Sequence, residues 1–230
     1  DIDGTLLWEK TDTNLDLTAG AHAHPAGGVV LVTLPNCKHY TANGMEQMLP
    51  TGLTQEVYPN GATVDASGNI YITGITYDSI LDKTFTPIIP CNIGAECGAA
   101  FLVKLGPTGA PLWADIRPAE GPYISIATVV KVVGSSTVWW AGATDGTFEG
   151  TVKSGTGQWD TLLFAYTTDG SPLVFSRMVG GGSDFPSILA TTPAGAPLLV
   201  QTSSSDGGTG MDTGNMDIHL WELDDTGVTV

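Results

Sequence analysis

Cys91 and Cys97 are the pair in this chain most plainly spaced for a covalent bond. They lie in Pro-Cys-Asn-Ile-Gly-Ala-Glu-Cys-Gly, where a local disulfide would pin a small loop and would favour an oxidising compartment. A reduced pair and a partial metal site are the competing readings, but zinc wants four ligands and no His is near in sequence. Cys37 is left over, either as a buried thiol or as a partner for a segment outside this chain. Asp145, Glu149, Asp206 and Asp212 sit in Gly- and Thr-rich stretches, and Trp159 borders one of them. Two carboxylates flanking a glycosidic bond, beside an aromatic platform, is the arrangement of sugar cleavage or binding. Nothing in the spacing selects a pair, and packing is the competing role for the tryptophan.

Two further groupings invite metal chemistry. Asp1-Ile-Asp3-Gly4 opens like a calcium loop but lacks a third ligand and a later Glu at the right spacing, so a hairpin turn is expected. His22 and His24 would share one face of a strand, yet Pro25 and the glycines beside them read as a loop with surface histidines. There is no Gly-x-Ser-x-Gly, no His-Glu-x-x-His and no Lys-bearing phosphate loop. The sequence assigns no catalytic residue, no resident metal and no cofactor. Its surplus of carboxylates leaves room for weak calcium binding at the surface.

That surplus is large: 24 Asp and Glu against 8 Lys and Arg, a net charge of −16 over 230 residues. Phosphate binding needs a cationic surface, so nucleic acid and anionic lipid are poor partners. The longest apolar runs, such as 124–133, are far too short to span a bilayer. No Asn-x-Ser/Thr acceptor for N-glycosylation occurs. Few lysines, many small polar residues and an acidic balance suit an extracellular or cell-surface protein. The chain opens on Asp1 in what reads as the middle of a repeat, which points to processing or to a piece of a longer protein.

The elements that must position these residues are repeated. Asn-Ile-Tyr-Ile-Thr-Gly-Ile-Thr over 69–76 matches Thr-Val-Trp-Trp-Ala-Gly-Ala-Thr over 137–144 and Pro-Leu-Leu-Val-Gln-Thr-Ser-Ser over 197–204, with a shorter version over 29–34. A further strand pattern follows at 100–105, 160–166 and 217–223. Each copy closes in a turn ending at Gly109, Gly170 or Gly227, and a short apolar segment comes next. Asn43–Gly44 is a worn copy of that turn, and Asp1–Gly4 with Thr5–Trp8 is the same turn and last strand. The repeats predict units over approximately 11–56, 57–114, 115–176 and 177–230, with 1–10 as a leading outer strand. Insertions at 77–98, 146–158 and 203–214 fall at one connection, hence on one face.

Four short strands per unit make a small sheet with two apolar faces, which neighbouring copies must cover. Radial stacking gives an all-β β-propeller of four-stranded antiparallel blades, closed with four or continued in a larger ring. Asp65-Ala-Ser-Gly-Asn-Ile-Tyr-Ile-Thr-Gly-Ile-Thr76, followed by Phe101-Leu-Val-Lys-Leu-Gly-Pro-Thr-Gly-Ala-Pro-Leu-Trp113, resembles the SBBP type of propeller repeat. The stretch 160–184 does as well. The similarity covers about 57–230 well and 1–56 loosely; residues 35–60 and the Trp139–Trp140 pair depart from it. The resemblance implies an extracellular or surface module with no fixed activity. The expected role is a non-enzymatic structural or adhesion module that packs against other protein chains or further blades. A carbohydrate-binding or glycoside-cleaving propeller with glycan partners is the alternative. A quinone-cofactor propeller, faintly suggested by Thr5–Trp8 and Ala110–Trp113, would need more blades and a defined cofactor site.

Overall fold

One five-residue turn recurs through the chain. In residues 24–28, 41–45, 65–69, 91–95, 106–110, 167–171 and 192–196 the first amide donates to the fifth carbonyl and the fourth amide donates to the first carbonyl. The fourth residue is always glycine, with φ between 77° and 95°. This is a hairpin turn in which a left-handed residue restores strand pairing, and glycine adopts that conformation without a steric penalty. The first residue adds a side-chain bond in several copies. Asp65 Oδ1 accepts from the Ser67 and Asn69 amides, and the Thr41, Thr167 and Thr192 hydroxyls accept from the amides of Met45, Ser171 and Ala196.

The computed structural model describes residues 9, 18–33, 36–91, 94–150, 159–178, 182–204 and 217–223. The leading strand expected over 1–10 (Glu9 apart), Asp206, Asp212 and the turn ending at Gly227 lie outside them. The described elements are all strands: β1 (Thr18–Ala23), β2 (Val29–Thr33), β3 (Asn36–Tyr40), β4 (Glu46–Pro50), β5 (Val57–Val64), β6 (Ile70–Thr76), β7 (Ala99–Leu105), β8 (Pro111–Arg117), β9 (Ser125–Val133), β10 (Thr137–Thr144), β11 (Asp160–Thr167), β12 (Pro172–Met178), β13 (Asp184–Thr191), β14 (Pro197–Ser203) and β15 (Asp217–Glu222). They form four antiparallel sheets in chain order, the first three with four strands and the fourth with three among the described residues. The stretch 35–60, which fits the repeat poorly as sequence, contributes two regular strands, β3 and β4, around the Asn43–Gly44 turn, and the start of β5.

Each sheet covers the next. Val30, Val32, Cys37 and Leu49 of the first pack against Ile70, Ile72, Phe101 and Val103 of the second. Tyr71, Ala100 and Leu102 on the second sheet's other face meet Val138, Trp140, Leu162, Phe164 and Tyr166 of the third. Trp139, Ala141, Leu163 and Ala165 then meet Leu189, Leu199 and Leu223 of the fourth. The alternation of a strand places successive residues on opposite faces, so the adjacent tryptophans of β10 serve two different seams.

The first strands of the sheets are neighbours: β1 touches β5, β5 touches β9 and β9 touches β13. Each carries one extra residue that shifts its pairing, at Ala19, Asn60, Thr128 and Ser187. All four bulged residues line a single cavity of about 240 Å³. The Asn60 side-chain amide donates to the Ala127 carbonyl at 3.1 Å and the Thr128 hydroxyl to the Pro186 carbonyl at 3.0 Å, so bulges link the second sheet to the third and the third to the fourth.

Candidate functional site

In an antiparallel sheet the connection between strands two and three leaves from the same end as the link to the next sheet. The β6–β7 and β10–β11 connections therefore gather at one end with the β8–β9 link. Cys91 and Cys97 form a disulfide there, with Cα atoms 5.2 Å apart. Both are buried against Ile75 and Ile124, with Tyr58, Tyr77 and Trp159 packed around them. Cys37 is a buried free thiol in the first core, its pKa pushed up to about 12 chiefly by burial.

The described acids and tryptophan singled out from the sequence are placed at this end without forming one cluster. Asp145 is buried and accepts the Ile124 amide at 2.7 Å. Glu149 pairs with Arg117 at 2.5 Å. Arg117 also reaches Asp115 at 2.8 Å and lies over the Phe164 ring, and Tyr166 donates to Asp115 at 2.5 Å. Trp159 is half-buried, its ring 5.5 Å from that of Phe185. His24 and His39 are in ring contact at 4.2 Å, and His22 of β1 is in register with Val30 of β2. Among the described residues no three His, Cys, Asp or Glu side chains come together as metal ligands.

A different polar group stands between the third and fourth sheets. Asp184 of β13, Gln201 and Ser203 of β14 and Thr161 of β11 are all buried. The register puts Asp184 opposite Ser203, and Gln201 opposite both Pro186 and His219, so these side chains share the face that meets the third sheet. Burial raises the Asp184 pKa first of all. Hydrogen bonds from Ser203 and Gln201 oppose that rise, the charge of Asp160 adds to it, and His219 opposes it. Gln201 Oε1, Thr161 Oγ1 and His219 Nε2 are buried with no hydrogen-bond partner.

The repeat shows how unusual this is. Counting outward from the bulges, Gln201 occupies the position of Gly74 in β6 and Gly142 in β10, and His219 the position of Phe101 and Leu162. A Cβ on Gly74 or Gly142 would overlap the Tyr58 or Ile126 carbonyl. Two sheets therefore have glycine under a large apolar side chain where the fourth has an amide beside an imidazole. Asp184 likewise stands where Ser125 stands. The Ser125 amide donates to the Gly98 carbonyl just as that of Asp184 donates to Trp159, and the Ser125 hydroxyl reaches the amide of Ala100, the counterpart of Thr161.

Sequence matching missed the cluster by one residue. Aligning 197–204 with 69–76 sets Thr202 under the repeat glycine. The structure pairs Ser203 with Asp184 as Thr76 pairs with Val57, which sets Gln201 there instead. A single-residue slip turns every side chain to the other face, so that alignment puts Gln201 on the wrong side of the sheet. The preceding Gly195 turn, matched to Gly68, would have fixed the register. No protein-family model matches the chain, and no curated protein matches it.

Proposed function

We propose that the chain is a β-propeller-type module, related in its repeat to the SBBP pattern, that serves as a non-enzymatic packing unit of an extracellular or surface assembly. The common cavity of the four bulged first strands supports a shared axis, and the disulfide suits an oxidising compartment. The observation that carries the packing role is the outer face of the fourth sheet. Ile188, Ile218 and Leu220 are 53%, 75% and 66% exposed. The register sets Ile188 and Leu220 on either side of Val200, on the face turned away from the third sheet. That face of the first three sheets is covered by a following sheet. Water contact over such a strip is unfavourable, and a second apolar sheet face removes it.

The partner is a second copy of this chain presenting the same strip. Sedimentation equilibrium at physiological salt tests it. The wild type is expected to gain mass with concentration, and Ile218→Asp with Leu220→Asp to stay monomeric with an unchanged circular dichroism spectrum. A wild type that remains monomeric throughout overturns the reading. The carbohydrate reading has less support, because Asp145 and Glu149 are held by Ile124 and Arg117 and Trp159 packs on Phe185.

A further inference from the structure

We propose that the buried polar group between the third and fourth sheets binds a hard divalent cation of the calcium class, with the Asp184 carboxylate, Gln201 Oε1 and Thr161 Oγ1 as ligands and Asp160 as a second negative charge.

The chemistry of the atoms points to a cation. Gln201 is 4% exposed and Thr161 fully buried, and the Oε1 and Oγ1 atoms have no hydrogen-bond partner. A buried polar atom left unpaired costs about 1–3 kcal/mol, so its persistence calls for a partner. Asp184 lies on the same face as Gln201, and Thr161 is the counterpart of Ala100, whose amide is reached from the Asp184 position in the preceding seam. Asp160, fully buried, is near enough for its charge to act on Asp184. The Asp184 carboxylate with amide and hydroxyl oxygens, and the charge of Asp160 from the opposite face of β11, form an acceptor-rich, negative set that repels anions. Calcium is satisfied by such mixed oxygen ligands, whereas zinc prefers nitrogen and sulfur. The glycine–apolar pairs at the equivalent positions of the second and third sheets show that the fold itself does not require polarity there. Asp217 of β15, opposite Ser203, and His219 are the other titratable groups on this face.

The rival occupant is a proton, since a neutral Asp184 carboxyl donates to Gln201 Oε1 and removes one orphan without any ion. The two are separated by calcium titration of the whole chain at physiological salt, which screens diffuse binding to the acidic surface. One saturable site is expected, with a Tm rise of about 5–10 °C at a hundredfold excess over Kd. Asp184→Asn is expected to abolish the rise, and Asp82→Asn, an exposed control, to leave it unchanged. Gln201→Met and Thr161→Val keep both carboxylates and are expected to weaken calcium at least about tenfold. These two decide the matter if Asp184→Asn does not fold. Absence of a saturable site, or an equal rise in wild type and the three site variants, overturns the proposal.

Discussion

The seam between the second and third sheets and the seam between the third and fourth are built from equivalent strands, yet they are closed by different chemistry. The first is aromatic. Trp140 stacks on Phe164 at 4.4 Å, Phe148 and Phe175 pack around Phe164, and the Arg117–Asp115–Tyr166 group ties the rim. Lys104 and the Trp113 indole both donate to the Thr168 carbonyl, fastening the second sheet to a turn of the third. The second seam keeps a cavity of about 390 Å³ beside Trp139, Leu173 and Leu223, and at its loop-bearing end it buries Asp184, Gln201 and the Nε2 atom of His219. One backbone can thus be shut by apolar packing or opened to polar contact through a few positions. The positions that differ are where specific binding is to be sought.

Substitutions at matched positions test that contrast. Leu162→Ala is expected to cost about 2–5 kcal/mol in denaturant unfolding, because a fully buried apolar side chain leaves a cavity. His219→Ala, at the equivalent position of the fourth sheet, is expected to cost about 1 kcal/mol or less, since its buried nitrogen has no partner to lose. Equal costs would mean that the two seams are energetically alike. Gly142→Ala should cost about 1–3 kcal/mol, as the added methyl runs into the Ile126 carbonyl. A neutral result would show that the close backbone approach at that pairing is soft.

Smaller effects bear on the loop-bearing end and on charge. Opening the six-residue link by Cys91→Ser with Cys97→Ser is expected to lower stability by about 2 kcal/mol, the loop-closure value for so short a loop. The pH dependence comes last. Asp184 has its carboxyl pKa raised on folding, so its folded form holds a proton longer than its unfolded form. Its contribution to stability is greatest below the ordinary carboxylate range and is lost as pH rises through the raised value. Asp65 has the opposite sign. Burial works against its charge, but hydrogen bonds from Asn69, Ser67 and Tyr71 prevail and hold its pKa down, so its contribution is lost as pH falls. In chelator, Asp184→Asn should flatten the loss on raising pH, and Asp65→Asn the loss on lowering it. Parallel profiles for the two variants would contradict these assignments.

The repeat, the all-β class, the hairpin glycines and the Cys91–Cys97 bond were readable because each depends on local chemistry: alternation, left-handed turns and a short cysteine spacing. The bulges at Ala19, Asn60, Thr128 and Ser187 were not, since nothing about those four residue types marks an extra residue in a strand. Asp145 and Glu149 stood out as loop acids, but their partners, the Ile124 amide and Arg117, come from the β8–β9 link and the end of β8. Gln201 and Asp184 were hidden by the one-residue offset and by distance along the chain. Their meaning comes only from comparison with Gly74, Gly142 and Ser125 in three dimensions.

The proposed propeller requires the sheets to lie about one axis. Ala19 of β1 and Ser187 of β13 belong to the first and last sheets and line the same cavity. Ala19→Cys with Ser187→Cys, spin-labelled or mildly oxidised, measures their separation directly. Arrangement about an axis predicts a short distance and an intramolecular cross-link. A linear pile of sheets spaced about 10 Å apart would hold the labels about 30 Å from each other with no cross-link, and that result would contradict it.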